Sequence, residues 1–596
     1  MKPQGKASFF RRLRQTDFAR ADAWFNRKIL RRDASEVVVY LSVIGYTLVF
    51  SYFTILKFEA FHAYAWDLGI FNQSLWTTLH AGQFFFSTVE QFIVTSGVFF
   101  GTHFSPILYV VLPFYALTST PQALLVIQSF ILALGAVPLY FFAKNSLNNK
   151  VLAVVFSLVY LLYPPLQGAN WFDFHVQAFL PLFFFCTMYF LVCERWPGYF
   201  LFVFLSLSVA ENVPITVVFI GLYGFWRFRT RIINALKTRR LVDVAFLVPI
   251  LTIVMAVAWL FFAGWIRQVN WPFDSTYLQL YKAVDHWSAF KTMDDPNKLP
   301  LYVIQQPGST LAALAADWPL KILYLFLLFG PLLFLSFGSS ITAISLAWLV
   351  PAFLSNYTPY YTIGAHFPMY PVAFIFLGAV EGLRKISLPA GLHGGQSGRL
   401  RRLRLSLSKL ISKIKDLLVV NKVLGFLRSL SRKPRRLLVV GLVFTLTVGP
   451  LSPVITSVQT VRQNFPQFAD YHLPEVTTHA ELLQNISDMV PTNASVLTQN
   501  SIFVHFSSRA NAYVYPLPWM FPYNQTALRN YVEDLFQKSQ YVMTDTTTDA
   551  GEYSLSADIY YKEGLVYSKN QTVRDFRLVA DRDGIYLFEK KNLGQT

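Results

Sequence analysis

Charged residues are scarce in this sequence. They make up 14% of its 596 residues, where a soluble domain carries roughly 25%, and the mean hydropathy is +0.40. That shortage excludes both a disordered chain and an ordinary soluble enzyme. Cysteine is scarcer still. Cys186 and Cys193 are the whole complement; they sit within one apolar run and read as small apolar-site residues, not as a disulfide or a metal pair. The signatures of soluble chemistry are missing as well, with no Walker loop, no GxGxxG, no HExxH and no GxSxG. No signal peptide is expected, because the first thirty residues are polar and basic and no small-residue cleavage site follows Val37–Leu56.

What the chain has instead is long apolar runs. Val37–Leu56, Leu241–Gly264 and Leu437–Leu451 reach or approach the roughly 20 residues of a bilayer-spanning helix. The fold class expected is a mainly α, polytopic transmembrane helical bundle. Its cations are unevenly placed. Residues 1–33 hold ten basic and three acidic side chains, 227–240 six and none, and 384–436 fifteen and one. Such stretches stay cytoplasmic, and because they track the ends of apolar runs, the excess of +18 argues against nucleic acid as a partner.

Fixing those stretches inside gives about eleven spans. They are Val37–Leu56, Ala123–Phe142, Val151–Pro164, Ala178–Val192, Tyr199–Val209, Val213–Trp226, Leu241–Gly264, Ile322–Phe337, Ile341–Leu354, Pro368–Leu383 and Leu437–Leu451, with Pro106–Leu117 re-entrant or interfacial. The organisation expected is a basic cytoplasmic N-terminus (1–36), a transmembrane core (37–383), a basic cytoplasmic loop (384–436), a last span (437–455) and an extracytoplasmic α/β domain (456–596). In that domain Ala480–Val490 reads as a helix. Ala494–Thr498, Ala512–Tyr515 and Tyr541–Thr544 read as strands, and Phe576–Ala580 with Gly584–Glu589 as a hairpin. Six Asn-X-Ser/Thr sequons, at Asn72, Asn356, Asn485, Asn493, Asn524 and Asn570, all fall on the outer side. The 384–436 loop alternates leucines with arginines and reads as a surface helix whose partners are anionic lipid headgroups.

This arrangement carries a group of polar residues to the outer membrane face. They are Asp67, His103, Asp173, His175, Glu211 and His366. Ionisable groups at that depth need a wet cavity or a partner. Each has a plainer reading beside the functional one. Asp67 and Asp173 could cap helices, and the histidines could be interfacial aromatics bonded to backbone. Glu211 is the hardest to explain so, since it lies between two runs each too short to span. Asp173 and His175, two apart, could give two metal ligands only in a non-helical segment.

The segments Trp66–Gln73, His103–Leu108, Pro138-Leu139-Tyr140, Asp173-Phe174-His175 and Glu211-Asn212 resemble an archaeal and bacterial family of polytopic membrane proteins of unknown function. In the tail Asn493–Val496, Gln499-Asn500 and Ser508-Arg509 match it too. That family is distantly similar to the GT-C glycosyltransferases. The resemblance implies a membrane-embedded glycosyltransferase that moves a sugar from a polyprenyl-phosphate donor to a glycan, lipid or protein acceptor outside the membrane. On that reading Asp67 is the base, with Glu211 the alternative or a group that orients the acceptor. His103, His175, His366 and Arg267 would hold phosphate, and Asp173 would orient His175 or a metal. No cofactor is assigned, and a divalent metal is left open. The GT-C pattern of paired acids in the first loop is absent: Asp67 stands alone, with Glu59 and Glu90 too far along the chain. The alternative function is a transporter or flippase for a lipid-linked or small polar substrate.

Overall fold

A computed structural model describes residues 33–238, 243–272, 286–290, 299–387, 425–427, 429–453, 455, 471–516, 525–547 and 576–591. Most of the basic segments 1–36 and 384–436, and the sequons at Asn524 and Asn570, lie outside the described residues.

Helices occupy every apolar run named above, but their lengths correct the expected eleven spans. Among the described residues four are long and apolar enough to cross a membrane: Ala34–Glu59, Pro121–Leu147, Lys150–Trp171 and Val244–Asn270. A fifth is added if Pro307–Ala315 and Trp318–Leu332, bent by 68° at their junction, count as one. The rest fall short. Trp196–Leu207 has 12 residues and Arg435–Val448 has 14, so at a rise of about 1.5 Å per residue neither matches a core of about 30 Å. The turn at Glu211 differs in the other direction. The helix after it runs 25 residues, Val213–Lys237, because its Arg- and Lys-rich continuation is helix-forming although it is not apolar.

Asp33 starts the first helix, its carboxylate accepting from the Ser35 amide. The lipid-facing sides are visible in the same helices. Leu48 is 66% and Phe261 72% exposed, as apolar side chains are when their solvent is acyl chain rather than water. The opposite faces meet in one continuous aromatic-rich core that includes Tyr160, Tyr163 and Phe376.

The C-terminal region forms the expected α/β unit. Strands β1 (Val496–Thr498), β2 (Ala512–Val514), β3 (Tyr541–Asp545), β4 (Phe576–Arg582) and β5 (Ile585–Lys590) make a sheet of order β2-β1-β3-β5-β4. β1 is parallel to β2 and β3, and β5 is antiparallel to β3 and β4. The helices Thr478–Ser487, Asn500–Phe506 and Gln525–Lys538 accompany it; only the first was expected.

At the end of β3 an imidazole is held between two carboxylates. His479 Nε2 lies 2.9 Å from Asp545 and Nδ1 lies 2.6 Å from Asp583, in the β4–β5 turn, with the Thr547 hydroxyl 2.9 Å from Nε2. Burial opposes the charge on this ring, but Asp545 and Asp583 outweigh it and raise its pKa above the ordinary 6.5. A raised folded-state pKa favours the fold fully below the unfolded value and loses that contribution as pH rises through the folded one. Hydrogen-exchange protection of β3 and β5, corrected for intrinsic rates, is therefore expected to fall as pH climbs from about 6.5. His479→Phe should flatten that dependence; an unchanged profile in this variant would exclude the clamp.

Candidate functional site

The first helix ends with a buried lysine. Lys57 Nζ donates to the Trp171 carbonyl at 3.1 Å and lies 3.5 Å from Asp173 Oδ1, both side chains being almost fully buried. The other Asp173 oxygen accepts the Tyr64 amide at 2.6 Å. Gln128 holds the same loop, donating to the Phe172 carbonyl and accepting from the His175 amide. Asp173 thus fixes the loop to the first helix and caps nothing. Its carboxylate is engaged by Lys57 and Tyr64, so the expectation that it orients His175 directly is corrected, and the Asp173/His175 spacing builds no metal pair. Only its backbone carbonyl meets the ring, at 2.9 Å from His175 Nδ1.

That last contact decides the proton inventory. A carbonyl only accepts, so Nδ1 carries a hydrogen. The other nitrogen, Nε2, lies 3.2 Å from Asp67 Oδ1. The carboxylate of Asp67 and the imidazole of His175 thus face each other. Asp67 sits in a π-helical turn, Ala65–Gly69, and not at a helix cap; turns of this kind recur at functional sites. His366 stacks on His175 with ring centroids 3.8 Å apart. Burial, with the neighbouring His175 and His103, pushes its pKa well below that of an ordinary histidine. The His366 ring is neutral, and its Nδ1 is buried with no hydrogen-bond partner.

A second group lies beside the first. His103 Nδ1 is 3.2 Å from Glu211 Oε1, and the other Glu211 oxygen is buried and unpartnered. Arg267 donates from Nε to the Gly101 carbonyl at 3.0 Å. Gly101 is a close approach: a Cβ there would come within 2.9 Å of Trp271 Cβ. Burial works against protonation of His103, but Glu211 and then Glu90 more than reverse it and raise its pKa. Burial pushes Glu211 upward, while His103 and Arg267 pull it below the usual glutamate value. The pair is an imidazolium and a carboxylate, and His103 keeps 53% of its side-chain surface open.

All seven residues expected at the site are brought into these two groups, and four more belong with them. Glu90 bonds to the Thr102 hydroxyl and is 2% exposed; burial pushes it up to about 7 against the pull of His103, Thr102 and Arg267. It lies beside the cluster despite its distance from Asp67 in the chain. Lys57, Gln177 and Tyr370 were also missed. Lys57 had a signal, being the first charge met after an apolar run of 20 residues. Among the described residues no group of three or more His, Cys, Asp or Glu side chains is arranged to hold a metal ion.

The first-loop and tail motifs are partners of each other. The Ala65 amide donates to Asn500 Oδ1 at 2.8 Å. Asn72 Nδ2 donates to Ser507 and Ser508, Gln73 Nε2 to the carbonyls of Arg509 and Ala512, and Tyr115 to Asn72 Oδ1. His505 lies between Phe58 and Phe61, with centroids at 4.2 and 3.8 Å, and Nε2 donates to the Phe58 carbonyl. Burial pushes its pKa down to about 4, so the sandwiched ring is neutral. These contacts engage the sequon residue Asn72. Its side chain is fully buried and its amide is engaged, whereas Asn356, Asn485 and Asn493 are exposed.

The sequence profile of one family, described as predicted membrane protein (DUF2079), matches residues 57–587. The chain belongs to that family. The match spans both halves of the motif partnership, from Lys57 to the last strand of the sheet. Among curated proteins none matches the chain.

Proposed function

We propose that this member of the family is a membrane-embedded glycosyltransferase. It moves a sugar from a polyprenyl-phosphate donor to an acceptor hydroxyl on the outer face of the membrane. The observation that carries this is the placing of a carboxylate–imidazole pair, Asp67–His175, 3.2 Å apart, near His103 and Arg267. On this reading the cationic stretches 1–33, 227–240 and 384–436 are inside by the positive-inside rule, anionic headgroups are the partners of the 384–436 loop, and the sheet is outside, which requires the 14 residues of Arg435–Val448 to cross where the bilayer thins around them. The GT-C resemblance supports the same orientation.

The step balances as follows. Asp67 takes the proton of the acceptor hydroxyl while His175 stabilises the charge it shares. The acceptor oxygen bonds to the anomeric carbon as the bond from that carbon to the phosphate oxygen breaks. The electron pair leaves with the phosphate, whose charge His103 and Arg267 offset; the guanidinium suits two-point contact with phosphate. Asp173 and Lys57 position His175, and Glu211 holds His103 in its charged form.

One observation favours a transporter, the 68° break between Pro307–Ala315 and Trp318–Leu332. Lys321 is buried beside it, donating to the carbonyls of Ala313 and Phe353. Broken helices accompany substrate paths in transporters. A radiolabelled assay separates the two. Membranes holding the chain are given a panel of polyprenyl-phosphate sugars, and label is expected to reach a lipid, glycan or protein acceptor. No transfer from any donor, with substrate flux across proteoliposomes, would select the transporter.

A further inference from the structure

The His479 clamp presents its two carboxylates to opposite edges of one ring, so they share no ion, and Lys321 is satisfied by helix-end carbonyls. The unsatisfied polar atoms of the site itself carry further. Glu211 Oε2, Gln177 Oε1 and His366 Nδ1 are each buried without a hydrogen-bond partner. Gln177 and Glu211 lie about Tyr370, and His366 lies against His175. The Tyr370 hydroxyl donates to Asn212 Oδ1 at 2.7 Å, is bonded by Gln177 and feels the charge of Glu211. His366 in turn feels His103, which is bonded to Glu211.

A buried acceptor left unmade costs about 1–3 kcal/mol, more when it is charged, so each such atom in a native structure calls for an explanation, of which a bound polar group is one. What would satisfy them is set by their chemistry. A carboxylate oxygen and an amide carbonyl only accept, and a neutral imidazole nitrogen accepts or donates according to tautomer. Phosphate, itself an acceptor, is mismatched to this set. An ammonium would match the acceptors but would sit beside the cations His103 and Arg267. Hydroxyl groups both donate and accept, and carry no charge.

We propose that Gln177, His366 and the free oxygen of Glu211 form a hydroxyl-binding subsite that holds the sugar ring, while the phosphate is held apart from it at Arg267 and His103. This removes His366 from the phosphate-binding set expected from sequence. The subsite deepens the transferase reading and rests on it only for the lipid to which the sugar is attached.

The test uses the full chain in lipid nanodiscs and three probes: a short-chain polyprenyl-phosphate hexose, the same polyprenyl phosphate without sugar, and free hexose. Gln177→Leu and His366→Phe are each expected to weaken binding of the hexose lipid on the order of tenfold. Binding of the bare polyprenyl phosphate should be unchanged, which also shows that the variants are folded, and Gln177→Glu should retain most of the affinity. Equal losses for both lipids, or no loss for either, would overturn the subsite while leaving the transferase reading in place. If neither lipid binds the wild type, the donor assignment is lost and free hexose becomes the deciding probe. Hexose binding that weakens in both variants would still support the subsite, and its absence would overturn it.

Discussion

An Asp67→Asn chain is expected to transfer sugar about 10²- to 10⁴-fold more slowly than the wild type, the range for losing a positioned acid–base group. Asparagine has nearly the same shape and can still bond to His175 Nε2, so the ring stays in place. It cannot take a proton. The loss should therefore fall on kcat, with KM for the donor little changed. His175→Ala should approach the same floor, and the double variant should fall little further, because two residues in direct contact that serve one step act as a unit. Full activity in Asp67→Asn would remove the carboxylate from the chemistry. Additive losses in the double variant would show that the 3.2 Å contact is not a working pair.

Lys57→Met is expected to destabilise the chain more than any other single change described here, by about 3–5 kcal/mol, the cost of leaving a buried charge without its partner. The pH dependence gives the mechanism. Burial already raises Asp173 to about 6, against the pull of Lys57. Without that pull the carboxyl titrates higher still. Below that value it is protonated and neutral, and no uncompensated charge remains; above it the charge is buried alone. The thermal deficit of Lys57→Met should therefore be larger at pH 7.5 than at pH 5.5. Lys57→Met combined with Asp173→Asn should recover much of the loss at the higher pH. A deficit independent of pH, and not relieved in the double variant, would point to packing of the lysine stem instead.

The parts of this fold that announce themselves are those with a local period. Alternation in the tail placed all five strands to within a few residues, down to the hairpin at Asp581–Asp583. Hydropathy found the helices of the apolar runs but not their lengths, and it missed Pro307–Ala315, Asn500–Phe506 and Gln525–Lys538. Ala123–Phe142 lies within a longer helix, Pro121–Leu147, that tightens at Gly135 between Pro121–Leu134 and Ala136–Leu147, since an apolar run registers neither where a helix ends nor where its bonding tightens. The ionisable residues of the site stood out because charge is costly near a bilayer, and that argument needs no knowledge of partners. It failed where partners matter. Asp173 looked like a companion of His175 and turned out to be the counter-ion of a lysine 116 positions away. Glu90 gave no sign at all, because its place beside His103 is made by the path of the first loop and not by spacing. Asn72 was noted only as one of six sequons, and its amide belongs to the tail.

The partnership of Asn72 and Gln73 with residues near 510 spans about 435 positions of chain. A ribosome adds about 5–20 residues per second, so the first loop emerges tens of seconds before the segment that satisfies its amides exists. For that interval Asn72 and Gln73 lack their final partners, and the aromatic pair Phe58 and Phe61 waits for the imidazole of His505. Assembly of this protein thus finishes from its two ends toward each other, and a chain stopped before the sheet would keep its helices while leaving the roof of its site unbuilt.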